Sequence, residues 1–198
     1  MEVAIVKYNA GNVFSVKCAL KRIGIDAVVT DDIELLQHAD KVIFPGVGEA
    51  STAMTYLHSH GLDSVIAGLR QPVLGICIGL QLLCRSSEEG STHGIGIFGL
   101  DVKRFDSHNA AGLKIPHMGW NTISVVRDTP LLDKALDGAW VYYVHSYYAP
   151  IGADTIATTG YINNFSAALQ KDNFFATQFH PEKSGAAGEQ VLRNFIEL

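Results

Sequence analysis

The chain reads as an α/β fold with a mixed, mainly parallel sheet, helices on both faces and a nucleophile elbow. Three observations carry this. Short β-branched runs alternate with helix-spaced segments through the first 85 residues. Strands buried on both faces look like that, and parallel sheets are built from them. Next, Val73-Leu-Gly75-Ile-Cys77-Ile-Gly79-Leu-Gln81 runs from an apolar strand into a helix, with glycines two residues either side of a cysteine. Finally, the second half carries strand-like runs joined by short turns, such as 170–173, so several of its strands should be antiparallel.

The elements follow in order. Residues 2–8 are apolar and strand-like; the acidic second residue and short apolar run argue for a first strand rather than a secretory signal. Residues 12–23 show helical spacing through Val13, Val16, Ala19, Leu20 and Ile23. Residues 26–30 form a strand, and 32–38 a short helix capped by Asp31 or Asp32. Residues 41–45 are a strand, 49–69 mostly helix, 73–77 a strand and 78–85 a helix. Beyond them, 97–105, 122–126, 139–148, 155–161, 166–171 and 174–179 are predicted strands, and 185–198 a closing helix. A single domain over residues 1–198 is expected, large enough to bury a sizeable core.

Composition narrows the function classes. Hydrophobic residues make up 47% and charged residues 18%, as in ordinary globular chains. A net charge of −5, without any Lys/Arg run, argues against nucleic-acid binding. No apolar stretch approaches membrane-spanning length. Three cysteines without Cys-x-x-Cys fit a reducing compartment, and a cytoplasmic location is expected. Cys18 and Cys84 fall in helix-like segments and are read as packing residues. The histidines lack zinc-site spacing, and no metal or cofactor is expected. Gly94-Ile-Gly96-Ile-Phe-Gly99 matches a dinucleotide pattern, but a strand-like run follows it instead of a helix. No phosphate-binding Walker pattern is present, so the chain is not expected to bind ATP.

The chemistry centres on Cys77. An elbow forces its central residue into a strained conformation, and side chains on the flanking residues would clash. The helix that follows aims its N-terminus at the cysteine, favouring thiolate. An inert buried thiol is the competing reading of the same residues. A cysteine nucleophile needs a base, and the base an orienting group. Phe179-His180-Pro181-Glu182 supplies both types at the end of a strand-like run. Two-residue alternation would put His180 and Glu182 on one face, and Pro181 keeps His180 out of the α region. A strand-end histidine beside a solvated charge is the alternative. His145, in the aromatic run 140–148, competes as base but has no carboxylate near it in sequence. Phe44-Pro45-Gly46-Val47-Gly48 is a glycine-rich turn after a strand, of the kind that points backbone N–H groups at an anion. A plain strand-to-helix turn is its bland counterpart.

Together these motifs resemble the class I glutamine amidotransferases, the triad-type glutaminases. The resemblance implies a flavodoxin-like three-layer fold and a catalytic triad of Cys77, His180 and Glu182. It implies an oxyanion hole from Val47 or Gly48 and from Ile78, and glutamine-binding groups at Gly48, Gln81, His145, Ser146 and Tyr147. After Gly48 the family often continues with a small and then an aromatic residue; here Glu49-Ala50 stands. Lys114-Ile-Pro-His-Met-Gly-Trp-Asn121, 142–148, His-Pro-Glu-Lys-Ser (180–184) and the opening around 9–12 are similar to glutaminase subunits of imidazole glycerol phosphate synthases.

That likeness runs end to end and implies glutamine as substrate. It also implies a heterodimer with a barrel-shaped cyclase, which receives the ammonia in histidine biosynthesis and makes imidazole glycerol phosphate and aminoimidazole carboxamide ribotide. Met118, Trp120, Tyr142 and Lys183 become partner-interface candidates, with core packing as the alternative for the first three. Allosteric gating by a peptide flip at Val47–Gly48 is a further expectation. The competing functions are a glutaminase of another pathway, a partner-free cysteine hydrolase and a non-catalytic binding protein. Pro-His-Met-Gly-Trp-Asn argues against the first, and the intact triad set against the last.

Overall fold

The computed structural model describes residues 1–8, 12–110 and 112–198; residues 9–11 of the family-like opening lie outside them. The elements are β1 (Val3–Val6), α1 (Val13–Arg22), β2 (Val28–Thr30), α2 (Ile33–His38), β3 (Lys41–Gly46), α3 (Ala50–Ser59), α4 (Leu62–Gly68), β4 (Val73–Cys77) and α5 (Ile78–Leu83). Then follow β5 (Cys84–Ser87), β6 (Thr92–His93), β7 (Phe98–Arg104), β8 (His117–Thr122), β9 (Ser124–Val125), β10 (Trp140–His145), β11 (Tyr147–Tyr148), β12 (Thr155–Gly160), β13 (Asn164–Lys171), β14 (Phe174–Thr177) and α6 (Gly185–Glu197).

The main sheet has the order β2-β1-β3-β4-β14-β13-β12-β9. From β2 to β14 the neighbours run parallel; from β14 to β9 they run antiparallel. The strand alternation is visible in β1. Val3 and Ile5 pack with α1 and α6 residues such as Leu20 and Phe195. Ala4 and Val6 pack with Leu36, Leu57 and Ile66 of α2, α3 and α4. Each face of the sheet therefore carries its own core, as the uniformly apolar strands required. Two smaller sheets have the orders β10-β8 and β11-β7-β5-β6.

The structure corrects several boundaries. The predicted helix 49–69 is two helices, broken at Gly61, which takes φ +68°. The predicted helix 78–85 ends at Leu83, and Cys84 opens a strand. Its last turn is intercepted: Ile95 N–H donates to the Leu82 carbonyl and Gly96 N–H to the Cys84 carbonyl. Cys84 is still a buried packing residue, as expected. The predicted strand 139–148 is cut at Ser146, with β10 pairing to β8 and β11 to β7. Strand β8 itself, in the segment 114–121, was not foreseen.

Candidate active site

The elbow forms at the C-terminal end of β4, where open α/β sheets place their ligands. Cys77 takes φ 55°, ψ −105°, a strained conformation for a residue with a side chain. Both flanking glycines are needed. A Cβ on Gly79 would lie 1.9 Å from the Phe44 carbonyl oxygen, and one on Gly75 2.9 Å from the Gly79 carbonyl carbon.

His180 follows β14 with φ −96°, ψ 95°, extended as Pro181 demands. Beyond it the chain departs from the expected extended run: residues 181–183 form a short 3-10 turn. The turn, rather than strand alternation, brings Glu182 back to the ring, with Nδ1 and Oε1 2.8 Å apart. Both side chains are fully buried. Asn12 Nδ2 donates to the same carboxylate oxygen and lies 3.4 Å from the ring nitrogen. A carboxylate beside Nδ1 makes that nitrogen the proton donor. Nε2 is then left to face Cys77, and it is buried without another partner. Burial alone would pull the imidazole down, but the adjacent Cys77 charge and the Glu182 carboxylate raise it to about 10. A protonated imidazole at His180 is the state this geometry favours.

His145 does not compete. Its Nδ1 lies 2.8 Å from the Tyr147 carbonyl and its Nε2 3.1 Å from His117 Nδ1. Burial pushes it down to about 3, so it stays neutral. It builds the wall of the site.

A cavity of about 280 Å³ opens over Cys77. Val47, Gly48, Ile78, Gln81, His145, Ser146 and Tyr147, every oxyanion and glutamine-binding residue predicted, line it. Glu89, Pro116 and Val144 complete the lining and were not foreseen. Glu89 is the only carboxylate among them; burial raises it, partly offset by the Ala50 N–H that donates to it at 2.9 Å. No sequence signal separates it from its neighbour Glu88. Gly48 takes φ +124°, with nothing within 4 Å of where a Cβ would stand. At the foot of that turn, Tyr8 Oη donates to the Pro45 carbonyl at 2.6 Å.

Comparisons with known proteins give the family. The model of the family Glutamine amidotransferase class-I matches residues 5–198. Imidazole glycerol phosphate synthase subunit HisH of Bacteroides fragilis is 59% identical over 198 residues, covering 100% of both chains. The same-named subunit of Salmonella typhimurium is 45% identical, again over 100% of both. The chain belongs to the class I glutamine amidotransferases, in the HisH family. A solved structure titled glutamine amidotransferase superposes with a TM-score of 0.75 at 21% identity, over 98% of this chain and 97% of that one. A glutamine amidotransferase from Thermotoga maritima does so at 0.67 and 18%, over 100% and 81%. These two bear on the fold alone.

In this amidotransferase Met118, Trp120 and Tyr142 lie on the β8–β10 ribbon, and Lys183 reaches it from the 181–183 turn. Met118 is 63% exposed and Trp120 52%, against the core-packing alternative. Tyr142 lies opposite Trp120 in register, its ring 6.0 Å from the indole. Lys183 Nζ sits 5.9 Å above the Tyr142 ring. The His180 N–H donates to the Tyr142 carbonyl at 2.9 Å, so this face lies directly behind His180. Trp140, 60% exposed, joins it and was not foreseen. Among the described residues no cluster of metal-ligating side chains is found, and no helix is long and apolar enough to cross a membrane.

Proposed function

We propose that this chain, acting as one domain, hydrolyses glutamine to glutamate and ammonia through Cys77, His180 and Glu182. The ammonia passes to a barrel-shaped cyclase, as in the imidazole glycerol phosphate synthases for which its relatives are named. One observation carries the reading: a strained cysteine at an elbow, with a fully buried His–Glu pair behind it, opens on a cavity of about 280 Å³.

The Cys77 thiolate attacks the side-chain amide carbon of glutamine. The carbonyl oxygen becomes an oxyanion, received by the backbone N–H groups of Ile78 and of Val47 or Gly48. His180 gives its Nε2 proton to the departing nitrogen, and ammonia leaves as the C–N bond breaks. Water then adds to the thioester while His180 takes its proton, releasing glutamate and restoring the thiolate. Glu182, held by Asn12, keeps the ring in the required tautomer throughout. Glu89 is placed to take the substrate's ammonium group at the cavity wall.

The exposed Met118, Trp120 and Trp140 with the Tyr142–Lys183 pair supply an aromatic, cationic face suited to a protein partner. The net charge of −5 does not suit nucleic acid. The three free cysteines fit a reducing, cytoplasmic setting.

The test is glutamate release from glutamine by the purified chain, alone and then with a cyclase subunit of imidazole glycerol phosphate synthase and its nucleotide ligand. Strong stimulation, absent in Cys77→Ala, is the expected result. A folded chain that the active cyclase fails to stimulate would move the function to another acceptor.

A further inference from the structure

The triad does not exhaust the contacts of the nucleophile. Gln178 is fully buried and stands two residues before His180. Its backbone N–H donates to the Ala167 carbonyl at 2.8 Å, and the intervening Phe179 points into the core. Its side-chain Nε2 lies 3.7 Å from Cys77 Sγ, within range of a hydrogen bond to sulfur.

Which end of the amide faces sulfur follows from a chain of partners. A backbone carbonyl only accepts, so the Tyr147 carbonyl requires the nitrogen of Gln81, at 3.0 Å. The same Gln81 Nε2 then donates to the Gln178 oxygen at 3.1 Å. With its oxygen committed, Gln178 has only N–H left to offer Cys77. Flipping Gln81 would set two acceptors against each other, and flipping Gln178 would set its nitrogen against that of Gln81. Cys77 Sγ is otherwise 3.9 Å from the Val144 carbonyl, an acceptor that helps a thiol but not a thiolate.

We propose that Gln178 is a positioning residue for the nucleophile: its side-chain amide, oriented by Tyr147 through Gln81, holds an N–H on the Cys77 sulfur. The inference rests on the reading of Cys77 as nucleophile. The Gln178 donor and His180 approach the thiolate from successive outward positions of one segment. The sulfur is thereby aimed into the cavity and its negative charge is favoured. The same chain leaves Gln81 Oε1 buried and unpaired, so Gln81 meets substrate only as an acceptor.

Gln178→Glu tests this directly. It keeps an oxygen for Gln81 and loses the N–H. The rate of Cys77 alkylation by iodoacetamide at fixed neutral pH, read at that cysteine by peptide mass spectrometry, should fall about tenfold, as loss of a hydrogen bond to a charged group implies. The thiolate ultraviolet absorbance should fall with it. With partner present, kcat for glutamine should drop in proportion while KM stays near the wild-type value. Gln178→Met removes both contacts and should in addition raise KM, because Gln81 is released. Alkylation at the wild-type rate in Gln178→Glu, or a loss confined to KM, would overturn the proposal. A measurement on the unaltered chain covers the case of misfolded variants: with ¹⁵N in glutamine side chains, the assigned Gln178 amide signal should move when Cys77 is alkylated. A signal that stays in place overturns it too. Alkylation needs neither glutamine nor partner, so these results stand apart from the test of glutamine hydrolysis.

Discussion

The two sides of the proposed oxyanion pocket are built in opposite ways. On the elbow side, Ile78 follows a cysteine wedged between two glycines with no room to spare: the Phe44 carbonyl stands where a Cβ of Gly79 would go. On the turn side, Gly48 has open space around it and is special only in its backbone angle of +124°. One donor is held by packing and cannot move without disturbing β3 and β4. The other depends on the conformation of a single glycine, anchored below by the Tyr8–Pro45 hydrogen bond. In the proposed mechanism these halves would serve as a rigid nucleophile and an adjustable oxyanion receptor, the arrangement a gated glutaminase requires.

The largest expected effect lies on the rigid side. Cys77→Ala should abolish glutamine use while synthesis from added ammonia by the complex continues, measured by product formation from each nitrogen source. Gly79→Ala should attack the frame itself, costing on the order of 3 kcal/mol through overpacking against Phe44. Denaturant titration reads that loss. Gly48→Ala is the decisive contrast. Strain limits its stability cost to about 1–3 kcal/mol. By turning the backbone N–H away from the oxyanion, the substitution should lower kcat about 10²–10³-fold. If Gly48→Ala unfolds the chain as Gly79→Ala does, the distinction between the two sides fails.

A third wall sharpens the picture through pH. Burial holds His145 at about 3 and His117 at about 4, below the ordinary 6.5. Between these values the unfolded chain binds more protons than the folded one. Stability from this wall is therefore present above about 6.5 and lost as pH falls toward 4 and 3. Denaturation midpoints measured down that range should decline, and His145→Asn should flatten the decline. The smallest effect is expected from Tyr8→Phe. It should cost about 1 kcal/mol and lower kcat by up to about tenfold, because the turn loses its anchor but keeps its glycine.

Much of the site was legible residue by residue. The elbow could be read because its requirement is local: two glycines around a cysteine after an apolar run. The His180–Glu182 pair could be read for the same reason, although a 3-10 turn, not a strand, joins them. Asn12 and Tyr8, in contrast, reach the site from the start of the chain. Glu89 comes from a loop where Glu88 looks the same. Gln178 gains meaning only through Gln81 and Tyr147.

The linear pattern was enough to read the alternating parallel half, the elbow and the His180–Glu182 pairing, because backbone sterics and periodicity act within a few residues. Where β8 forms, why α5 stops at Leu83, and which amide end meets the sulfur depended on groups far apart in the chain. Their hydrogen bonds and burial exist only once the sheet has brought them together.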